Sequence, residues 1–196
     1  MKNDIVLAGV GGQGILSIST VIGQAAVNSN LNIKQSEVHG MSQRGGAVYA
    51  HLRLSDMPIA SDLIPLGMAD LVLSVEPMEA LRYLPYLKPN GWLVTNIHPF
   101  VNVGNYPDKE ILMKQLNDLP NSILIDADAL ASDCGNKKAS NMVMLGAAVP
   151  FIKIEMEELQ KAVSSIFEAK GEDTVVMNIR ALKAGFEEVK AASLRF

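Results

Sequence analysis

Two glycine-rich segments contain the residues of this sequence whose types and spacing could bind a ligand. In the first, the glycines follow an apolar run and precede apolar residues at helical spacing, which is the order strand, tight turn, helix. Glycine has no Cβ, so the main chain can approach an anion, and the first N–H groups of the helix point outward at the positive end of its dipole. This predicts a site for a phosphate, a carboxylate or a partner protein, with close strand–helix packing as the structural alternative. We call these residues the first glycine segment: Gly9, Gly11, Gly12, Gln13 and Gly14.

The second glycine segment comprises Ser42, Gln43, Arg44, Gly45 and Gly46. Arg44 is its most informative side chain, because a guanidinium can form two hydrogen bonds to a phosphate or carboxylate while neighbouring N–H groups form an anion-binding nest. The alternative is a surface arginine paired with a carboxylate on a neighbouring loop, and the sequence leaves both interpretations open.

The other polar candidates have structural explanations. Glu76 ends an apolar strand, where ligand groups gather, but it can equally stabilise a helix N-terminus. Asp126 and Asp128 resemble a paired-carboxylate site, yet capping of the following helix is the favoured interpretation. The remaining candidates lack the spacing of a metal pair or a neighbouring base: His39, His51, His98 and Cys134. We therefore predict no metal site and no catalytic set in this chain.

Composition excludes several classes of function. The net charge is −4 and no basic cluster is present, which argues against nucleic acid and anionic membrane as partners. A single cysteine excludes an internal disulfide and a cysteine-ligated zinc or iron–sulfur site within the chain. We expect no signal peptide and no membrane span, which needs about 20 apolar residues, and hence a cytoplasmic protein. The hydrophobic fraction of 48% predicts a buried sheet or a sizeable partner interface.

Strands and helices alternate along the chain and must position these segments. Apolar runs predict strands near residues 5–8, 70–75, 92–97 and 122–127. A polar–apolar alternation predicts a strand near 48–54, and a further strand is expected near 33–38 after a polar turn. Helical spacing predicts helices near residues 13–28, 76–84, 108–116, 141–151, 155–168 and 173–192. Pro85, Pro89 and Asn90-Gly91 predict a turn before the fifth strand. The whole chain, 1–196, is predicted to be one α/β domain with three α/β/α layers and a mostly parallel, Rossmann-like sheet that has an antiparallel portion.

One departure from an ordinary dinucleotide-binding domain bears on function. Such a domain has a helix between its second and third strands, whereas here the second glycine segment and another strand follow the second strand. A self-sufficient NAD(P)- or FAD-binding oxidoreductase is still an alternative, because Glu37 stands where a ribose-binding carboxylate is expected.

Four stretches of the sequence resemble the gamma-type domain of 2-oxoacid:ferredoxin oxidoreductases. They are GVGGQGILSIS at 9–19, SEVHGMSQRGGAVYAHLRL at 36–54, ADLVLSVEPMEALRYLPYL at 69–87 and NMVMLGA at 141–147. The glycine signature alone is shared with many folds, but joined to SQRGG it is specific. The motif EVHGMSQRGG, at residues 37–46, most resembles the branch of the family that acts on indolepyruvate.

The resemblance implies oxidative decarboxylation of an aryl 2-oxoacid, such as indolepyruvate, to an acyl-CoA with reduction of ferredoxin. It also implies a larger alpha subunit that carries thiamine diphosphate and iron–sulfur clusters, while this chain contributes to coenzyme A binding through its two glycine segments. A non-enzymatic partner-binding subunit is a third alternative that fits the apolar composition.

Overall fold

The computed structural model of the chain describes residues 1–40 and 45–193, with side chains as far as residue 191. The described strands are β1 Lys2–Val10, β2 Asn32–His39, β3 Ala47–Ser55, β4 Ala69–Ser74, β5 Leu87–Asn96 and β6 Ser122–Ile125. The described helices are α1 Ile15–Asn28, α2 Pro77–Tyr83, α3 Lys109–Asn117, α4 Ala127–Asp133, α5 Ser140–Ala148, α6 Met156–Phe167 and α7 Glu172–Ser193.

The described strands form one sheet in the order β2–β3–β1–β4–β5–β6. Neighbours from β1 to β6 pair in parallel, whereas β3 is antiparallel to both β1 and β2. Five strands therefore run in one direction, and only β3 is reversed. This confirms the predicted mostly parallel sheet with an antiparallel portion near residues 33–54.

Helices cover both faces of the sheet. Along β1, Ile5 and Leu7 point into a core formed with α1 and α4–α7, whereas Val6 and Ala8 point into a second core under α2 and α3. All four side chains are at most 1% exposed. Such a strand, apolar on both faces, is typical of a central parallel strand, and the predicted three layers are confirmed. No helix of the described chain combines the length and the apolar character needed to cross a membrane.

α5 and α7 cross at very short range, which explains why the sequence of α5 is apolar nearly all round. A Cβ on Gly146 would lie 1.9 Å from the carbonyl oxygen of Leu182, and one on Gly185 would lie 1.9 Å from that of Val143. Residues 142–149 are all buried. The two glycines thus let the helix backbones touch, and α5 is buried on more than one side.

The predicted turn at Pro89 and Asn90-Gly91 is wrong, because β5 begins at Leu87 and runs through it. Leu87 pairs with Ala69 and Trp92 pairs with Leu71. Between these two pairs the chain moves five positions along β5 but only two along β4, so β5 contains a bulge. Pro89 has no N–H to donate to the ladder. The strand accommodates it by bulging and keeps its direction.

Two observed helix ends differ from the predicted ones. The first helix was expected from residue 13 but begins at Ile15, because Gly14 has φ +82°, in the left-handed region. The helix expected to end at residue 151 ends at Ala148, and a 3₁₀ turn containing Pro150 follows.

The connections place a crevice at one edge of the sheet. After β1 the chain passes through α1 to β2 on one side, and after β3 it crosses to β4 on the other side of β1. In open α/β sheets, ligands bind outside the carboxyl ends of strands at such a switch point. The first glycine segment follows β1 and Glu76 follows β4, so both lie at this edge.

Candidate functional site

The first glycine segment forms an open bend between β1 and α1. Gly12 is exposed, has φ +99°, and would place a Cβ with nothing within 4 Å. Gly14 is the N-cap residue of α1, and no side chain in the described structure caps this helix. The N–H of Ser17 donates to the carbonyl oxygen of Gly14 at 3.1 Å, whereas the N–H groups of Ile15 and Leu16 have no partner among the described residues.

Two residues of this segment, Gly9 and Gln13, make contacts within the chain that stabilise the fold. A Cβ on buried Gly9 would lie 2.4 Å from Cγ2 of Val75 and 2.9 Å from Cδ1 of Ile15, so Gly9 allows α1 to pack on β1. The Gln13 side chain turns back into the protein, where its Oε1 accepts a 2.8 Å hydrogen bond from the N–H of Val10. Ligand contact by either residue stays a prediction.

The second glycine segment is described only in part, because Ser42, Gln43 and Arg44 lie outside the described residues. Gly45 has φ +80°, and the carbonyl oxygen of Gly46 accepts a 2.9 Å hydrogen bond from the N–H of Gly11. The two glycine segments are therefore in direct contact. Their contact continues the β1–β3 ladder, whose last pair is Val10 and Ala47.

A third segment, residues 97–106 after β5, completes the edge. Asn102 donates a 2.6 Å hydrogen bond from Nδ2 to the carbonyl oxygen of Gly45. This contact was not foreseen, because nothing in the sequence around Asn102 distinguishes it from an ordinary loop asparagine.

Glu76 holds this third segment in place. Its carboxylate is fully buried, and it accepts hydrogen bonds from the N–H of Glu79, the N–H of Phe100 and the hydroxyl of Tyr106. The first of these contacts caps α2, so the helix-stabilising interpretation of Glu76 is confirmed. Burial, followed by the hydrogen bond to Glu76, raises the pKa of Tyr106, so its hydroxyl remains a donor.

Asp126 and Asp128 also act at a helix start. Asp126 caps α4 by accepting from the N–H of Ala129 at 2.9 Å, and its Oδ1 lies 2.8 Å from Nε2 of His98. Burial favours the neutral carboxyl, but hydrogen bonds from Ala129 and His98 together lower the pKa of Asp126. Asp128 pairs with Lys137 at 3.4 Å. The capping interpretation is confirmed for Asp126.

The histidines and the cysteine occupy separate places. His39 ends β2 beside Glu37, with 3.2 Å between Nε2 and Oε2. His51 is 4% exposed, and its Nδ1 accepts a hydrogen bond from the N–H of Ile64. Cys134 is buried. Within the described ranges, no three His, Cys, Asp or Glu residues come together as a metal site.

An open pocket of about 520 Å³ lies against the first glycine segment. Its walls come from that segment, the first turn of α1 and the ends of β2 and β3, and they include Leu16, His39, Gly40 and Val48. On the other side of the same segment is a polar groove of about 340 Å³ that includes Lys138 and Asn141. Free N–H groups next to apolar walls can bind an anionic group attached to an apolar chain.

The dinucleotide alternative is not favoured by this geometry. In a Rossmann domain the ribose-binding carboxylate ends the strand next to β1. Here β3 lies between β1 and β2, which puts Glu37 two strand spacings, roughly 10 Å, from β1. Glu37 is instead engaged by Gln35 and His39.

These features define a Rossmann-like α/β domain whose open first glycine segment lies beside a pocket at the switch point of the sheet. The chain belongs to the pyruvate ferredoxin/flavodoxin oxidoreductase family, whose model matches residues 4–188. This confirms the family resemblance and the expectation of a subunit of a ferredoxin-dependent 2-oxoacid oxidoreductase.

Relatives of similar length carry a more specific name. The chain is 37% identical to the indolepyruvate oxidoreductase subunit IorB of Methanothermobacter thermautotrophicus, over 95% of this chain and 97% of that protein. It is 35% identical to the protein of the same name from Archaeoglobus fulgidus, over 96% of both chains.

Solved structures share the fold. A keto/oxoacid ferredoxin oxidoreductase gamma subunit from Geobacter sulfurreducens superposes with a TM-score of 0.70 at 25% identity, covering 96% of this chain and 99% of that one. The 2-oxoglutarate:ferredoxin oxidoreductase of Magnetococcus marinus, solved with 2-oxoglutarate, coenzyme A and succinyl-CoA bound, gives 0.77 at 22% identity. The match covers 97% of this chain but 31% of that longer one.

Proposed function

We propose that this chain is the small subunit of an oxidoreductase for aryl 2-oxoacids such as indolepyruvate, and that it contributes to the site where coenzyme A reacts. The reaction is oxidative decarboxylation: the 2-oxoacid and coenzyme A give an acyl-CoA and carbon dioxide, and two electrons pass to ferredoxin. The relatives that are 35–37% identical over nearly the whole chain, and that are named for indolepyruvate, support the substrate class.

The rest of the chemistry falls to a companion subunit. A single cysteine in 196 residues cannot ligate an iron–sulfur cluster, which needs four ligands. We assign thiamine diphosphate and the clusters to a larger alpha subunit, and ferredoxin is the electron acceptor. The isolated small chain is then expected to have no activity.

The observation that carries the role in coenzyme A binding is the open first glycine segment beside the 520 Å³ pocket. Coenzyme A joins phosphate groups to a long, weakly polar arm that ends in a thiol. The uncapped N–H groups of α1 and the bend at Gly12 suit a phosphate, and the apolar walls at Leu16 and Val48 suit the arm.

Leu16→Glu tests this assignment. Leu16 is 41% exposed on the first turn of α1, where a carboxylate is compatible with the helix dipole but would repel a bound phosphate. Val27→Glu is the matched control, because Val27 is 57% exposed at the far end of the same helix.

Both variants should be co-expressed with the companion large subunit and assayed for CoA-dependent reduction of a viologen on a panel of 2-oxoacids. We expect Leu16→Glu to raise the KM for coenzyme A by about tenfold, the cost of one unfavourable charge contact, and Val27→Glu to leave it unchanged. Equal KM values in the two variants, or full activity of the isolated small chain, would contradict the proposal.

A further inference from the structure

The backbone at Gly45 and Gly46 is held from two sides by different parts of the chain. The carbonyl oxygen of Gly46 accepts from the N–H of Gly11, in the first glycine segment, at 2.9 Å. The preceding carbonyl oxygen, of Gly45, accepts from Nδ2 of Asn102, in the segment 97–106, at 2.6 Å. Consecutive carbonyls at the rim of the candidate site therefore have separate partners.

The segment that carries Asn102 is itself fixed to the core. Phe100 and Tyr106, on either side of Asn102, both donate hydrogen bonds to Oε1 of Glu76. Glu76 has no exposed surface, and its other oxygen caps α2. Asn102 thus lies between two donors to one buried carboxylate, and displacing it would break contacts with a charged group, which are among the stronger hydrogen bonds.

The orientation of the Asn102 amide also indicates a positioning role. Its Oδ1 is buried and has no partner in the described part of the chain. A buried acceptor without a partner costs free energy. The hydrogen bond from Nδ2 to Gly45 is the described contact that offsets this cost, and neither aspartate nor alanine can donate it.

We propose that Asn102 is a positioning residue that holds the Gly45 and Gly46 backbone against the first glycine segment, with Glu76 as its buried anchor. Asn102 acts through Gly45 and Gly46 on the bend at Gly11, and so on the pocket beside it. For its effect on catalysis the inference rests on the proposed role in coenzyme A binding. Its structural part stands on the contacts themselves.

Amide hydrogen exchange of the full-length chain tests the structural part. The Gly11 N–H is bonded to Gly46, so its exchange rate, followed by NMR, reports how firmly that backbone is held. In Asn102→Ala and Asn102→Asp we expect Gly11 to exchange about fivefold faster or more, the loss of one hydrogen bond, while the Leu73 amide in β4 is unchanged.

Asn105→Ala is the matched control, because Asn105 is exposed in the same segment and makes no hydrogen bond in the described structure. Tyr106→Phe is a second test of the same arrangement. It keeps Asn102 but removes one hydrogen bond from the segment 97–106 to Glu76, so it should speed Gly11 exchange by a smaller factor. A Gly11 rate within twofold of the wild type in both Asn102 variants would overturn the proposal.

Steady-state kinetics of the complex with the large subunit test the catalytic part. We expect Asn102→Ala to raise the KM for coenzyme A about fivefold while kcat, the Tm and the yield of complex stay as in Asn105→Ala. A loss of kcat and complex together, with KM unchanged, would mean a structural role only and would overturn this part. If the wild-type complex does not use coenzyme A, the proposed function fails, and the exchange experiment still decides whether Asn102 positions the bend.

Discussion

The backbone N–H of Gly11 donates a 2.9 Å hydrogen bond to the carbonyl oxygen of Gly46, and this contact joins two glycine segments that α1 and β2 separate in the sequence. The reversed strand β3 makes the contact possible. Because β3 is antiparallel to β1, its first residue, Ala47, pairs with the last residue of β1, Val10. A helix in place of β3, as in an ordinary dinucleotide-binding domain, would not bring the two segments together.

The bend at Gly14 should tolerate a side chain less well than the bend at Gly12. Both have positive φ, so alanine costs about 1–2 kcal/mol at either position. At Gly14 the new Cβ would also lie 2.5 Å from Nδ2 of Asn141, whereas at Gly12 it meets nothing. Urea unfolding should show Gly14→Ala as the more destabilising change. In an Asn141→Ala background the difference between the two costs should shrink, because only the Cβ of residue 141, 3.3 Å from the new Cβ, remains. An undiminished difference would contradict this explanation.

The crossing of α5 and α7 should not accept a methyl group at Gly146. A Cβ there would overlap the carbonyl oxygen of Leu182 at 1.9 Å, so the two helices must move apart. We expect Gly146→Ala to lower the free energy of unfolding by about 3 kcal/mol, as for severe overpacking. Gly104→Ala is the control, because a Cβ at Gly104 has nothing within 4 Å. Chemical denaturation with equal losses in both variants would refute the close approach.

Removing the Tyr106 hydroxyl should destabilise the protein although the change is a single oxygen atom. The hydroxyl donates to the fully buried carboxylate of Glu76. Loss of a hydrogen bond to a charged group costs about 1.5–3 kcal/mol, so Tyr106→Phe should shift the urea midpoint to lower concentration. Tyr86→Phe serves as the comparison, because the Tyr86 hydroxyl has no hydrogen bond within the described chain; a shift of the same size there would argue against the buried anchor.

His51 should make stability depend on pH on the acid side of neutrality. Burial is the main cause that lowers the pKa of His51 below its ordinary 6.5. The unfolded chain then binds more protons below pH 6.5, so the free energy of unfolding falls as the pH drops from 6.5 towards the folded pKa. The slope contributed is at most about 1.4 kcal/mol per pH unit.

The measurement is urea unfolding between pH 7.5 and pH 5. His51→Asn keeps an acceptor for the N–H of Ile64 but cannot titrate, so it should remove this part of the slope. His39→Asn changes an exposed histidine and should keep it. An unchanged slope in His51→Asn would assign the pH dependence to other groups.

Much of the architecture could be predicted because its signals are local. The apolar run of β1, the glycines after it and the helical spacing of α1 lie within 28 residues, and each is a property of neighbouring positions. The reversed strand β3 was also visible, since a polar–apolar alternation followed the second glycine segment. At Pro89 local reasoning failed, because proline and glycine mark turns in isolation, whereas pairing with β4 keeps the chain extended as a bulged strand.

The sequence alone therefore determined the class of fold, the family and the positions of the two glycine segments, since backbone freedom and hydrophobic period belong to the residues themselves. Only the tertiary structure decided which groups meet at the rim of the sheet. The contacts of Gly11 with Gly46, Asn102 with Gly45, and Tyr106 with Glu76 each join residues that are distant in the chain. Strand order and direction set these distances, and no local pattern encodes which loops a mixed sheet will bring to one edge.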